Sequence, residues 1–143
     1  MPSTFDFTTT TSSQTAVDFL AEKTGLPKAR IKDAMNKGAC WWTLKGKQVR
    51  LRRATKALLQ GTRIQLYYDE QVLNRTPAAG QLIADQGRYS IWYKPHGMLA
   101  QGSQWGDHCS LLRWVEVEHK RECFLIHRLD AVASGLMMIA HDA

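Results

Sequence analysis

Cysteine is sparse in this 143-residue sequence: Cys40, Cys109 and Cys123 are odd in number, far apart and without any Cys-x-x-Cys pair. That fits reduced thiols in a cytoplasmic protein better than a disulfide framework. One metal alternative stays open, a zinc site on Cys109, His119, Cys123 and His127, since Cys123 and His127 are four positions apart. Long apolar runs are also missing. The longest in the C-terminal part, Leu136 to Ala140, falls far short of the roughly 20 residues that a membrane helix needs. The opening stretch, "MPSTFDFTTTTSSQ", has neither a basic start nor an apolar core, which excludes a secretory signal. Its Thr/Ser content predicts a disordered lead-in over residues 1–13.

Acidic residues are the next shortage. Between Lys23 and Arg63 the sequence holds twelve basic residues and only Asp33 as an acid. Residues 1–80 carry 13 Lys/Arg against 6 Asp/Glu, whereas residues 81–143 carry 6 against 7. The net charge of +6 is therefore a property of the first half. A single solvated helix face would be the plain explanation of such a run. Here the basic residues continue through a turn and the next strand, and so one-sided a surface repels itself unless an anion answers it. Binding to RNA or DNA phosphates is expected. With 44% hydrophobic and 22% charged residues, the composition is globular rather than disordered, and the length allows one ordinary domain or two small ones.

The first half predicts two helices and three strands. Thr15 caps a helix with Asp18 near its positive end, Val17, Leu20 and Ala21 form its apolar stripe, and Gly25 stops it. A second helix has Pro27 in its first turn, buries Ile31, Ala34 and Met35, and ends at Gly38. Its other face shows Lys28, Arg30, Lys32 and Lys37, and the charge runs on through Lys45, Lys47, Arg50, Arg52 and Arg53. Strands follow at residues 39–44, 48–51 and 63–68. Trp41 and Trp42 sit in the first of these, either stacking on a base or packing in the core. "AVDFLAEKTGLPKARIKDAMNKGACWW" followed by "KGKQVRLRRATKALLQGTRIQL" resembles the S4 RNA-binding module over residues 14–70. That resemblance implies that the second helix and the loop after it grip structured RNA by shape and phosphate contacts.

Pro77 and Gly80 mark residues 71–88 as a linker. A strand is predicted at "YSIWYK", a turn at Lys94-Pro95-His96-Gly97, and a helix capped by Asp107 or Ser110 with Leu111, Leu112 and Val115 inward. Two short apolar strands, "CFLI" and "GLMMIA", flank the segment "HRLDAVAS". By residue type alone, Arg128 and Asp130 are either an ion pair stitching a turn or an ionised nucleophile beside its arginine. No second carboxylate stands nearby for a glycosidase-style acid/base pair, and no Ser-His-Asp or Cys-His set can be assembled.

The pattern favours the nucleophile. "HRLDAVASGLMMIA" resembles the active-site signature of RluA-type pseudouridine synthases, "YKPHGMLAQ" resembles their Lys-Pro-x-Gly segment, and "GDHCSLLRWVE" fits the helix between. An S4 module in front is a common arrangement in that family. The resemblance implies an α+β protein: a small S4-like helix pair with a hairpin, then the start of a mixed-sheet catalytic domain at residues 89–143. It implies that Asp130 attacks the target uridine, that Arg128 fills the vacated stack and pairs with RNA, and that His127 and Lys94 lie near the substrate. No cofactor or metal is needed. The expected partner is RNA, ribosomal before transfer RNA, with no membrane and no obligate protein partner; a non-catalytic S4-type binding protein is the alternative. Ala133 stands where the family has Thr. The family's later tyrosine and basic residue are not found in these 143 residues, so the chain is expected to be truncated, to expose apolar area around residues 136–140, and to be weakly active or inactive.

Overall fold

A computed structural model describes residues 2–12, 14–76, 78–127 and 134–142. These residues form two units, the first comprising residues 1–74 with 104–106, the second the remainder.

In the first unit, Thr15 accepts from Asp18 N–H at the start of α1 (Ala16–Thr24), and Gly25, with a φ of 75°, closes it in the left-handed conformation. Pro27 stands just outside α2 (Lys28–Asn36) as its N-cap, one position earlier than a first-turn proline. The strands β2 (Cys40–Leu44), β3 (Lys47–Arg50) and β4 (Arg63–Tyr68) follow, with a positive-φ Lys45–Gly46 turn closing the hairpin. The stretch expected to be a disordered lead-in is a strand. β1 (Ser3–Thr8) pairs antiparallel with β4 from Ser3–Tyr68 to Thr8–Arg63, giving the sheet order β1-β4-β2-β3. The physical reason is alternation within a polar composition: Phe5 and Phe7 point to the helices while Thr4 and Asp6 point away. Ile64, Leu66 and Cys40 meet Leu20, Ile31, Ala34 and Met35 in one apolar core. Trp42 packs on that core; Trp41, one residue earlier, takes the opposite face.

The presumed linker is also structured. After α3 (Glu70–Leu73), β5 (Gln81–Asp85) forms the edge of a second sheet of order β5-β6-β8-β7. Its partners are β6 (Tyr89–Lys94), β8 (Gly135–Ala140) and the two-residue β7 (Phe124–Leu125), shorter than the "CFLI" strand expected. The described ladders of both sheets are all antiparallel, so the second sheet is not the mixed one anticipated. α4 (Leu111–His119) covers one face, capped by Ser110 rather than Asp107, and buries Leu111 and Val115 against Trp92, Met137 and Ile139. Its first amides bond to the carbonyls of Leu99 and Ala100. Gly80 passes so close to this helix that a Cβ there would lie 2.9 Å from Leu111 Cδ1. β8 has neighbours on both sides, yet its outward Leu136 is still 58% exposed.

Candidate active site

The strands that bracket "HRLDAVAS" are β7 and β8, antiparallel neighbours paired at Phe124–Ala140 and Leu125–Ile139. Asp130 and Arg128, the principal sequence candidates, and Ala133 lie outside the described residues. The residues that flank that segment in the chain are described. On one side, His127 Nε2 accepts a hydrogen bond from Met138 N–H at 3.2 Å. On the other, Gly135 begins β8 directly across from Lys94 at the end of β6.

Lys94 is fully buried, with 0% exposure. Its ammonium donates to Met98 O at 2.6 Å and to Pro95 O at 3.4 Å, tying down the turn whose Gly97 takes a φ of 86°. An ammonium withdrawn from water must recover its solvation from protein oxygens, so this lysine holds the turn in one shape. The turn lines a pocket of about 450 Å³ with Arg75, Thr76, Ala78, Cys109 and His96.

A buried polar cluster lies on the α4 side of the same sheet. His141 Nε2 is 2.8 Å from Ser90 Oγ, and Trp92 Nε1 donates to that hydroxyl at 2.7 Å. Cys123 Sγ is 3.3 Å from His141 Nδ1, and the His119 ring lies 4.3 Å from the His141 ring. Burial, then the neighbouring His119 and Arg121, lowers the His141 pKa, so the ring stays neutral. Burial, helped by Glu116, raises that of the Cys123 thiol. Cys40 in the first unit is pushed up to about 12 by burial, an inert core thiol. The cluster escaped the sequence reading, although the signal existed: Met137, Ile139 and His141 share one phase of the period-two pattern, as do Ser90 and Trp92.

The zinc alternative fails on geometry. Cys109 Sγ donates to Arg75 O at 3.7 Å, Cys123 turns to His141, and His127 turns to Met138. Among the described residues no group of three or more His, Cys, Asp or Glu side chains is placed to hold a metal.

The basic residues of the first unit divide into two sets. Lys28 pairs with Asp18 at 2.8 Å, Arg30 donates to Tyr68 Oη at 3.1 Å, and Lys37 bonds Asp33 at 3.2 Å and Leu73 O at 2.7 Å. Arg50 stacks over Trp41 at 4.3 Å and donates to Gly38 O, and Arg52 donates to Asn36 O, so both hold the carbonyl end of α2. Lys32, Lys45, Lys47 and Arg53 are exposed. Trp41 Nε1 donates to Gln104 O at 3.0 Å, and Trp105 meets Tyr67 edge-on at 5.6 Å.

These two halves carry different chemistry, and the second has a recognisable pattern. Residues 88–143 match the family model of RNA pseudouridylate synthases. The match runs from just before β6 through β8, and so takes in Lys94, α4, His127 and the Asp130 segment. This segment is thus similar to RNA pseudouridylate synthases. No curated protein matches the chain.

Proposed function

We propose that the chain is an RluA-type pseudouridine synthase whose S4-like first unit binds structured RNA, ribosomal in preference to transfer RNA, and whose Asp130 is the nucleophile. The observation that carries this reading is the pseudouridylate synthase match over residues 88–143, which contains the whole "HRLDAVAS" segment. The excess of basic residues in the first half supports the binding role.

In this reading the target uridine leaves its stack before reaction, because its reacting atoms are inaccessible inside a helix. Arg128 occupies the vacated place. The Asp130 carboxylate attacks ribose C1′ or uracil C6, the C1′–N1 bond breaks, and the uracil turns. A C1′–C5 bond then forms, the bond to Asp130 breaks and returns the carboxylate, the proton on C5 passes to solvent, and N1, now free of the ribose, takes one up. Atoms and electrons balance within uridine and water, so Asp130 needs only to remain ionised.

RNA carrying tritium at uracil C5 tests the proposal directly. Slow release of label to water by the chain, abolished in Asp130→Asn with RNA affinity retained, is the expected result. Undiminished release from Asp130→Asn would remove the nucleophile assignment. A longer version carrying the family's later tyrosine and basic residue that binds RNA tightly yet releases no label would leave an S4-type binding protein.

A further inference from the structure

β7 and β8 form paired rungs at Phe124–Ala140 and Leu125–Ile139. The next residue back along β8 is Met138, and its N–H is taken by the imidazole of His127 at 3.2 Å. A longer β7 would have offered a main-chain carbonyl there, since strand N–H groups turned toward a neighbour need an acceptor. The side chain therefore continues the ladder after the backbone has left it. Only an unprotonated ring nitrogen can accept, so this tautomer carries its proton on Nδ1.

The contact matters because of where it falls. His127 is the last described residue before the segment holding Asp130, and Gly135, opposite Lys94, is the next sheet rung after it. Without the imidazole, the last described residue tied to β8 ahead of Asp130 in the chain is Leu125. Reacting groups have to be held to within about 0.5 Å of a productive geometry, and a chain leaving a sheet edge meets that only when its exit direction is fixed. An imidazole suits such an anchor because two torsions place its nitrogen, so little side-chain entropy is lost on binding.

We propose that His127 is a positioning residue, pinning the start of the Asp130 segment to the sheet edge through Met138 N–H, rather than a residue that touches RNA. The role rests on the Asp130 reading above, whereas the anchor can be measured without it.

The experiment uses the full chain and two variants, His127→Ala and His127→Gln. The glutamine oxygen lies the same number of bonds from Cα as Nε2 and accepts without titrating. Nitrogen NMR of labelled histidine is expected to show an unprotonated Nε2 at His127. Amide exchange at Met138 is expected to quicken about five-fold in His127→Ala, the size of one net hydrogen bond, and to return toward the parent rate in His127→Gln. Tritium release is expected to slow in His127→Ala at unchanged RNA affinity and to recover in His127→Gln. A protonated Nε2, Met138 exchange indifferent to the alanine, parental release from His127→Ala, or a loss confined to RNA affinity would each overturn the proposal. If the parent releases no tritium while Met138 protection still depends on His127, the Asp130 reading fails and the anchor stands.

Discussion

In the first unit, the sheet face turned away from the helices carries Arg63 paired with Asp6 at 2.7 Å, Gln48 bonded to Gln65, and Arg50 stacked on Trp41. In the second unit the corresponding face carries the cross-strand pairs Ile91–Met138 and Tyr93–Leu136, apolar and partly open. The inner faces reverse the contrast. Among the described residues, the first unit buries two hydroxyls, Tyr68, which reaches Arg30, and Thr9, which donates to Leu59 O, whereas the second buries Ser90, Lys94, Asp107, Ser110 and His141. A chain keeps buried polar groups only where they are fully bonded, and such networks fix geometry more than they add stability. The first unit thus keeps most of its polar residues on its surface. The second places several inside.

Cavities should break either core with the largest effect. Leu66→Ala in the first unit and Met137→Ala in the second are each expected to cost about 2–5 kcal/mol, read from urea unfolding of the variants. A smaller loss follows overpacking where β5 approaches α4: Gly80→Ala drives a methyl into Leu111 and Trp114 and is expected to cost about 1–3 kcal/mol.

Acid sharpens the comparison, because all five histidines lie after residue 95 and the first unit, as far as residue 74, has none. The folded pKa of His141 is below its ordinary 6.5, so the unfolded chain binds the extra proton first. Its contribution is intact above pH 6.5 and is lost progressively as the pH falls below that value. Asp6, held low by its hydrogen bond to Arg63, and Asp18, held low by Lys28, contribute above their ordinary 3.8 and lose that contribution only in stronger acid. Amide exchange from pH 7.5 to 5 should therefore loosen the second sheet while the first stays protected, and His141→Gln should flatten that response. The smallest effect is expected on the open apolar face, where Leu136→Lys should change stability by no more than about 0.5 kcal/mol and improve solubility.

Much of this is legible in the residue pattern itself. The caps at Thr15 and Gly25, the basic second helix, and the strands 89–94 and 135–140 all announce themselves through residue type and spacing. β1 was hidden because Thr and Ser dominate its surroundings, although Phe5 and Phe7 alternate correctly. β5 was hidden by the Pro77 and Gly80 that precede it, since breakers mark a loop without marking where it ends. The Ser90–His141–Cys123 cluster joins residues up to 51 positions apart, and no local pattern reports such a meeting. His127 was legible as part of the motif, but its bond to Met138 depends on where β7 stops, which is a tertiary fact.

The central claim is that Asp130 makes this chain an isomerase rather than a binding module. Uridine and pseudouridine have equal mass and separate by chromatography, so nucleoside analysis of digested ribosomal RNA after incubation with the chain addresses it most directly. Pseudouridine appearing at a defined position, and absent when Asp130→Asn replaces the parent, is the predicted result. RNA that is bound by the parent yet yields only uridine, or equal pseudouridine from both proteins, would contradict it.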